Sequence, residues 1–201
     1  MNDTRDRILE TTAALFQRYG YTGSGLKQVV ADANAPFGSI YHFFPGGKQQ
    51  LGEEVIARSG QMYEDIVMAV WETGSDPATG IRSVFEGAAE VLRQTDYVDA
   101  CPVATVALEV ASSNDVLRQA TATVFERWIA AATSQLTEGG VPSPRARELA
   151  IVVIELLEGA FLLCRAARTT EAMDAAGRAA AELVAAALPA VGLSRPGRGT
   201  R

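Results

Sequence analysis

Two short apolar segments joined by a tight turn constrain the fold of this chain more than any other feature. The first segment has four apolar residues at the helical spacing i, i+3, i+4 and i+7: Leu26, Val29, Val30 and Ala33. Asn34 tolerates a left-handed backbone, so it predicts the end of this helix. Pro36 cannot continue the old helix but is well suited to opening a new one.

The second segment predicts a helix of barely two turns, Phe37 to Phe44, which Pro45 and two glycines close. Ile40 and Phe44, four apart, are expected on its inner face. A longer helix precedes both, with an inward stripe expected at Ile8, Thr12, Leu15, Phe16 and Tyr19, and with Gly20 as its end. Two short helices braced by a longer one predict a helix-turn-helix unit, whose second helix can enter the major groove of DNA.

The outward side chains of this unit are the candidate DNA contacts. They are Lys27, Gln28, Pro36, Phe37, Gly38, Ser39, Tyr41, His42, Phe43 and Lys48. Gly38 and Ser39 allow a close backbone approach, while Tyr41 and His42 are placed for phosphates and base edges. Lys48, in the first turn of the next helix, is expected at a phosphate. On spacing alone, ordinary exposed side chains of a surface helix remain the alternative.

The distribution of charge agrees with DNA binding at one end of the chain. The net charge is −6, which by itself argues against nucleic acid. Residues 1–48, however, hold five basic and four acidic side chains, so the excess of acid lies in the rest. A near-neutral to basic head on an acidic body suits a protein that confines its phosphate contacts to one end.

The composition favours helices throughout. Hydrophobic residues make up 48% of the chain, with Ala and Leu prominent, so we expect an all-α fold. No apolar stretch reaches the roughly 20 residues of a membrane span without a charge, and the start of the chain resembles no signal peptide. We expect a cytoplasmic protein that binds no membrane, with Cys101 and Cys164 as buried, reduced thiols.

An enzyme is the competing class of protein. His42 is the single histidine of the chain, and it lies on the predicted DNA-facing helix. The sequence has no nucleophile elbow, phosphate loop or metal-ligand cluster, so we expect no catalytic residue, metal or cofactor. Glu155 and Glu158, three apart on one helix, are interpreted as polar breaks in an interface.

The chain after the head is predicted to form a bundle of about six helices. The division expected is a DNA-binding domain over 1–47, a ligand-binding and dimerisation domain over 48–193, and a disordered tail over 194–201. The first bundle helix runs from Gly47 to about Glu72, on the order of 35 to 40 Å, with inward positions at Leu51, Val55, Met62, Ile66 and Val70. Asp76 and Pro77 are expected to begin the next helix, which continues over 81–93. The later helices are expected over 103–111, from Ser113 or Asn114 to Gly139, 145–168 and 171–188.

The last two long helices predict a homodimer. Apolar residues occupy almost every side of the first of them: Leu149, Ile151, Val152, Val153, Ile154, Leu156, Leu157, Phe161, Leu162 and Leu163. That is more apolar surface than one core-facing stripe requires. An Ala-rich face on the last helix allows close approach, giving a two-fold four-helix interface. A central helix buried within a monomer is the alternative.

A small-molecule pocket is expected in the body, lined by aromatic and apolar side chains with a few polar groups. The candidates are Met62, Ile66, Trp71, Phe85, Thr105, Leu108, Glu109, Phe125, Trp128, Phe161 and Cys164. Glu109 is the most informative, because a carboxylate in so apolar a helix is costly if it is buried unpaired. It is expected to pair with an arginine such as Arg165, to meet a ligand, or to emerge at the helix end.

Two stretches of sequence carry a family resemblance. The residues from Leu26 to Ala31 and from Phe37 to Leu51, which include Gly38-Ser39-Ile40-Tyr41-His42-Phe43, resemble the signature of the TetR/AcrR regulators. The resemblance implies that the third helix reads operator DNA, that Tyr41 and His42 contact it, and that Lys48 binds phosphate. Three positions depart from the signature: Asn34 replaces Gly, Pro36 replaces Ser, and Phe37 replaces a Lys or another polar residue.

A second, shorter resemblance concerns the body. The run from Cys101 to Glu109, with the Pro-Gly-Gly-Lys turn, is similar to the LmrA/YxaF-like branch of the same family. It implies a repressor released by a small, often apolar effector, with an efflux pump or a detoxifying enzyme among its targets. The alternatives are a constitutive helix-turn-helix DNA-binding protein without an effector and, with less support, a helical enzyme.

Overall fold

The computed structural model describes residues 4–189, and all its regular structure there is helical. The nine helices of that range are α1 (Thr4–Gly23), α2 (Leu26–Asp32), α3 (Gly38–Phe43), α4 (Gly47–Trp71), α5 (Pro77–Gln94), α6 (Pro102–Val110), α7 (Asp115–Glu138), α8 (Ser143–Ala167) and α9 (Glu171–Ala187). None of them is both long enough and apolar enough to cross a membrane. The tail expected to be disordered, 194–201, lies outside the described residues, as does the end of the predicted second domain.

The helices α1, α2 and α3 form the predicted head. Ile8 and Phe16 of α1 are buried with Ile40 and Phe44, so the inner face expected for α3 is confirmed. The expected inward position of Tyr19 is wrong, because this side chain is 61% exposed. It comes directly before a kink at Gly20, where φ is 69° and the backbone is not helical. The predicted end at Gly20 is confirmed, because the backbone is not helical there, and a short second segment then completes α1 up to Gly23.

The turn between α2 and α3 has the geometry that its residues predict. Asn34 adopts a left-handed conformation with a φ of 48°. The amide of Ala35 then donates to the carbonyl of Val30 at 2.9 Å, which satisfies an acceptor at the end of α2. The chain leaves this turn through Pro36 and enters α3 at Gly38.

The body consists of α4 to α9, with α9 packed between α5 and α8, and α7 packed against α8 and α4. Caps predicted from single residues are present: Asp76 accepts from the amide of Thr79 at 3.0 Å, and Asn114 accepts from the amide of Leu117 at 3.1 Å. Asn114, and not Ser113, is therefore the residue that caps α7.

The inward face of α4 differs from the prediction beyond Val55. Met62 and Ile66 were expected to face inward, but both are about half exposed. Ser59 and Gly60 are buried instead, because α7 approaches the backbone here so closely that a Cβ at Gly60 would lie 2.5 Å from Val124. Small residues, and not large apolar ones, therefore mark the contact between α4 and α7.

Two clusters of buried side chains run through the described chain. One joins α5, α8 and α9 with the C-terminal half of α7. The other joins α1 to α4 with Val103, Val106 and Val110 of α6 and with Leu117 and Val124 of α7. The core beneath the head thus continues into the body. A movement of α1 can therefore be transmitted to α6 and α7 through packed side chains.

Candidate DNA-binding face and ligand cavity

The outer side of α3 presents aromatic and polar side chains to solvent. Tyr41 is 55% exposed, and His42 and Gly38 are exposed beside it. The ring of Phe37 packs edge-on against Tyr41 at a centroid distance of 6.1 Å, so these two aromatic rings support each other. Ser39 and Phe43 are half-buried. The face can offer hydroxyl and imidazole groups to base edges or phosphates.

The outer side of α2 carries further predicted contacts. Lys27 and Gln28 are exposed, and Gln28 donates to the carboxylate of Asp32 at 2.6 Å. Pro36 is exposed in the turn. Nine of the ten predicted DNA contacts are thus exposed or half-buried on α2, on α3 and in the turn between them, and their role in binding stays a prediction.

The tenth predicted contact, Lys48, is engaged within the protein. Its ammonium lies 4.4 Å from the centroid of the Tyr21 ring. Burial lowers the pKa of Lys48, and the negative charge of Glu109 opposes that shift. Lys48 lies next to the N-terminus of α4, so it can address a phosphate only if its side chain leaves Tyr21.

Arg7 braces the turn between α2 and α3, a role that the sequence did not indicate. Its Nε donates to the carbonyl of Ala33 at 3.2 Å, and its second guanidinium nitrogen donates to the carbonyl of Asn34 at 3.4 Å. These are carbonyls at the end of α2, where a helix leaves acceptors unsatisfied. An arginine one helix away in the chain thereby holds the turn that orients α3.

A cavity of about 340 Å³ lies in the body between α4, α5, α7 and α8. Five of the eleven predicted ligand residues line it: Ile66, Trp71, Phe85, Trp128 and Phe161. The other six lie outside its lining: Met62, Thr105, Leu108, Glu109, Phe125 and Cys164. Leu108 is 80% exposed, whereas Cys164 is fully buried in the core. The volume is at the small end of the range of about 300–1,000 Å³ for pockets that hold drug-sized ligands.

Three carboxyl groups reach the cavity wall, on Glu64, Asp99 and Glu158. Arg127 pairs with Glu64 at 2.6 Å, and Arg18 pairs with Asp99 at 3.1 Å. Glu158 forms no ion pair with any Lys or Arg in the part of the chain that the structure describes. Its interpretation as a polar break in an interface is therefore wrong, because it faces the cavity while Glu155 faces solvent.

The electrostatics of the cavity follow from burial. Burial raises the pKa of Glu158 to about 7, although a hydrogen bond with the Cys101 thiol opposes the shift. Burial also raises the pKa of Cys101, as does the negative charge of Glu158. The pKa of Tyr63 is raised to about 12, again chiefly by burial. Near neutral pH, Glu158 is thus the one of these three groups that changes its charge.

The cavity also touches the head. Gln17 of α1 lines it and donates to the hydroxyl of Tyr63 at 2.6 Å. Arg18, the next residue of α1, pairs with Asp99 in the loop before α6. A molecule in the cavity would therefore lie against side chains that are bonded directly to the first helix of the head.

Glu109 belongs to a different contact between head and body. Its Oε2 accepts from the amide of Thr22 at 2.9 Å, next to the kink at Gly20. A side chain at position 20 would collide with this carboxylate, since a Cβ there would lie within 1.8 Å of it. The predicted pairing with Arg165 is wrong, because that guanidinium donates to the carbonyls of Tyr97 and Val98.

Several residues of the cavity were not anticipated: Gln17, Tyr63, Glu64, Asp99, Cys101 and Glu158. Of these, Glu158 carried a detectable signal, as a carboxyl group inside an otherwise apolar helix. Gln17 and Asp99 carried none, because their place in the wall depends on how distant segments pack. Among residues 4–189, no three His, Cys, Asp or Glu side chains are grouped so as to hold a metal ion.

The head has an exposed short helix behind a tight turn, and a longer helix braces it against a helical body. These features define a class of protein. This is a helix-turn-helix DNA-binding protein, as its two short apolar segments predict. Residues 8–55 match the family model of the bacterial regulatory proteins of the tetR family. Residues 77–179 match that of the C-terminal domain of LmrA/YxaF-like transcriptional regulators.

Relatives and a solved structure agree with these matches. The regulator YxaF of Bacillus subtilis is 34% identical over 161 residues, covering 80% of this chain and 84% of YxaF. LmrA of the same organism is 32% identical over 168 residues, covering 84% of this chain and 89% of LmrA. The crystal structure of reduced Escherichia coli NemR has the same fold, with a TM-score of 0.76 at 23% identity, over 89% of this chain and 95% of that one.

This chain belongs to the TetR family of transcriptional regulators, and its C-terminal domain is of the LmrA/YxaF-like type. The expectations of an all-α fold and of this family are confirmed. The family consists of DNA-binding regulators and not of enzymes, so the competing enzyme reading is set aside.

Proposed function

We propose that this protein is a repressor that binds operator DNA as a homodimer and is released when a small molecule occupies the cavity. The observation that carries the proposal is the hydrogen bond from Gln17 to Tyr63, because it joins the cavity wall to the head. A ligand that moves Tyr63 acts on α1, and α1 packs on α2 and α3. The name of NemR, an HTH-type transcriptional repressor, supports repression as the sense of regulation.

The DNA contacts proposed are those of the outer face of α2 and α3. Tyr41 and His42 are exposed on α3, and Lys27 is exposed on α2. A helix of two turns fits the major groove, and its flanking residues reach the phosphates. Lys48 also binds a phosphate in this proposal, after its ammonium leaves the Tyr21 ring for the DNA backbone.

The dimer contact proposed is formed by α8 and α9. Leu162 is 63% exposed, with Leu163 and Leu183 also exposed on these two helices. A second copy related by a two-fold axis would cover these side chains and place both heads on one side. Two heads can then read two half-sites about one helical turn of DNA, or about 34 Å, apart.

Size measurement in solution tests the dimer. Leu162→Glu introduces a charge into the proposed interface, so we expect a monomer by analytical ultracentrifugation. Leu108→Glu is the matched control, because Leu108 is exposed on α6 and lies outside the interface. A wild-type monomer, or a dimer that survives Leu162→Glu unchanged, would contradict this part of the proposal.

Binding of duplex DNA from the region upstream of the protein's own gene tests the DNA contacts. His42→Ala and Lys48→Ala should each weaken binding by roughly 1 kcal/mol or more while leaving the unfolding transition in place. Tyr97→Phe, far along the chain in the body, is the control. Unchanged affinity in both head variants would contradict the assigned contacts. A protein that binds this DNA but no small molecule would instead be the constitutive DNA-binding alternative.

A further inference from the structure

The charges around the cavity are unbalanced in a way that points to a ligand class. Its lining holds the carboxyl groups of Glu64, Asp99 and Glu158 but no Lys, Arg or His side chain. Arg127 and Arg18 neutralise Glu64 and Asp99 from outside the lining. One acidic group, Glu158, is left facing the empty space.

The position of Glu158 on α8 directs it into the cavity. Ile154, Leu157 and Phe161, at helical spacing around it, line the same wall. Its hydrogen-bonding neighbour there is the Cys101 thiol, which is itself buried and uncharged. A carboxylate among such neighbours is unfavourable unless a cation or several donors approach it.

The rest of the wall suits an organic cation. Trp71, Trp128, Phe85, Phe161 and Tyr63 all line the cavity. The faces of aromatic rings attract cations, most strongly where water is excluded. An apolar ligand body would pack on these rings while one charged group meets the carboxyl group.

We propose that the ligand of this cavity is a small amphiphile with an aromatic or aliphatic body and a single protonated amine, which Glu158 binds. This inference rests on the proposed function, since it names the chemical class of the effector. A neutral hydrogen-bond donor is the nearest rival. An anion is disfavoured, because the one carboxyl group of the lining without an ion pair, Glu158, is acidic and the lining holds no basic side chain.

Tryptophan fluorescence gives a direct binding assay. The chain has two tryptophans, Trp71 and Trp128, and both line the cavity. We would titrate the full-length protein with 4-phenylbutylamine, 4-phenylbutanol and 4-phenylbutyrate, which share one apolar body. The three compounds present a cation, a neutral donor and an anion to the same wall.

We expect the amine to bind at least about tenfold more tightly than the alcohol, and the anion to bind most weakly, because a charge-assisted hydrogen bond is the stronger kind. In Glu158→Gln this preference should fall to within about twofold, while the alcohol keeps its affinity. Glu155→Gln, an exposed position on the same helix, should keep the preference of the wild type. Equal binding of amine and alcohol by the wild type, a preference that survives Glu158→Gln, or no binding of the amine would each overturn the proposal.

Operator binding in the same titrations separates this inference from the proposed function. If the alcohol and the amine release the DNA equally effectively, release by an effector is supported and the proposal of a cationic ligand is wrong. If the amine binds in the cavity with the expected dependence on Glu158 but leaves DNA affinity unchanged, the ligand class stands and release by effector is wrong.

Discussion

The side-chain amide of Gln17 in α1 donates a 2.6 Å hydrogen bond to the hydroxyl of Tyr63 in α4, at the wall of the cavity. The two residues belong to different parts of the molecule, the head and the first helix of the body. Arg18 and Asp99 form a second link beside it. Because both links end at lining residues, we propose that a ligand that shifts the wall also shifts α1, on which α2 and α3 pack.

Gln17→Ala should therefore uncouple the cavity from the head. We expect this variant to bind operator within about threefold of wild type but to need more ligand for release, since one hydrogen bond contributes about 1 kcal/mol. The measurement is fluorescence anisotropy of labelled operator during a ligand titration. Gln61→Ala, which removes an exposed hydrogen bond to Asp65 on α4, is the control. Wild-type release by Gln17→Ala would show that the signal takes another route.

Asn34 should be replaceable by glycine but not by alanine. Its φ of 48° is strained for a residue with a Cβ, and asparagine tolerates it better than alanine does. Asn34→Ala should lower the free energy of unfolding by about 1 kcal/mol, whereas Asn34→Gly should be neutral or stabilising. Urea denaturation followed by circular dichroism measures both. Equal stability of the two variants would mean that the left-handed turn is not maintained in solution.

The prediction about Asn34 shows why the fold could be predicted from the sequence. Asn34, Pro36, Asp76 and Asn114 act through their own backbone or through residues three positions away, so single-residue chemistry determined the helix ends. The same local logic correctly placed Ile40 and Phe44 inside the head. It failed at Met62 and Ile66, because the inward face of α4 is set by small residues against which α7 packs.

The cavity could be predicted only in part. Large aromatic residues such as Trp71 and Phe161 are natural pocket candidates, and both line the wall. The polar members depend on contacts between segments far apart in the chain, as with Gln17 and Tyr63. Glu109 and Glu158 were both conspicuous as carboxyl groups in apolar helices, but spacing does not reveal which of them meets a cavity and which meets a backbone amide.

Arg7 should matter for DNA binding without touching DNA. Its donors hold the carbonyls of Ala33 and Asn34 at the turn before α3. In Arg7→Ala we expect operator affinity to fall by about tenfold and stability by about 1 kcal/mol, because the orientation of α3 is less fixed. Arg118→Ala, which removes an exposed ion pair with Asp115 on α7, is the control in an anisotropy assay. A loss shared equally by both variants would point to overall charge and not to the turn.

Glu158 should make stability depend on pH in an unusual direction. Its pKa is about 7 in the folded protein against 4.5 in the reference state. Between these pH values the folded chain holds a proton that the unfolded chain has released. The contribution of Glu158 to the free energy of unfolding therefore decreases as pH rises. The free energy of unfolding of wild type should therefore fall relative to that of Glu158→Gln as pH rises from about 5 to about 7. The total fall should be up to about 3 kcal/mol, and the difference should stay constant at higher pH.

Chemical denaturation at a series of pH values measures this difference. Cys101 and Tyr63 line the same cavity, but burial raises the pKa of each above this pH range, so neither changes its charge during the experiment. Glu155→Gln should track the wild type at every pH. A constant difference between wild type and Glu158→Gln would mean that the carboxyl group is solvated and titrates normally.

The most direct test that the cavity controls the DNA-binding face is the fluorescence anisotropy of labelled operator, measured with and without 4-phenylbutylamine. Wild type and Glu158→Gln are compared at the same salt concentration. The account predicts that the amine weakens DNA binding by wild type at least about tenfold and leaves Glu158→Gln nearly unaffected. If the amine fills the cavity of wild type and its affinity for operator does not change, the central claim is contradicted.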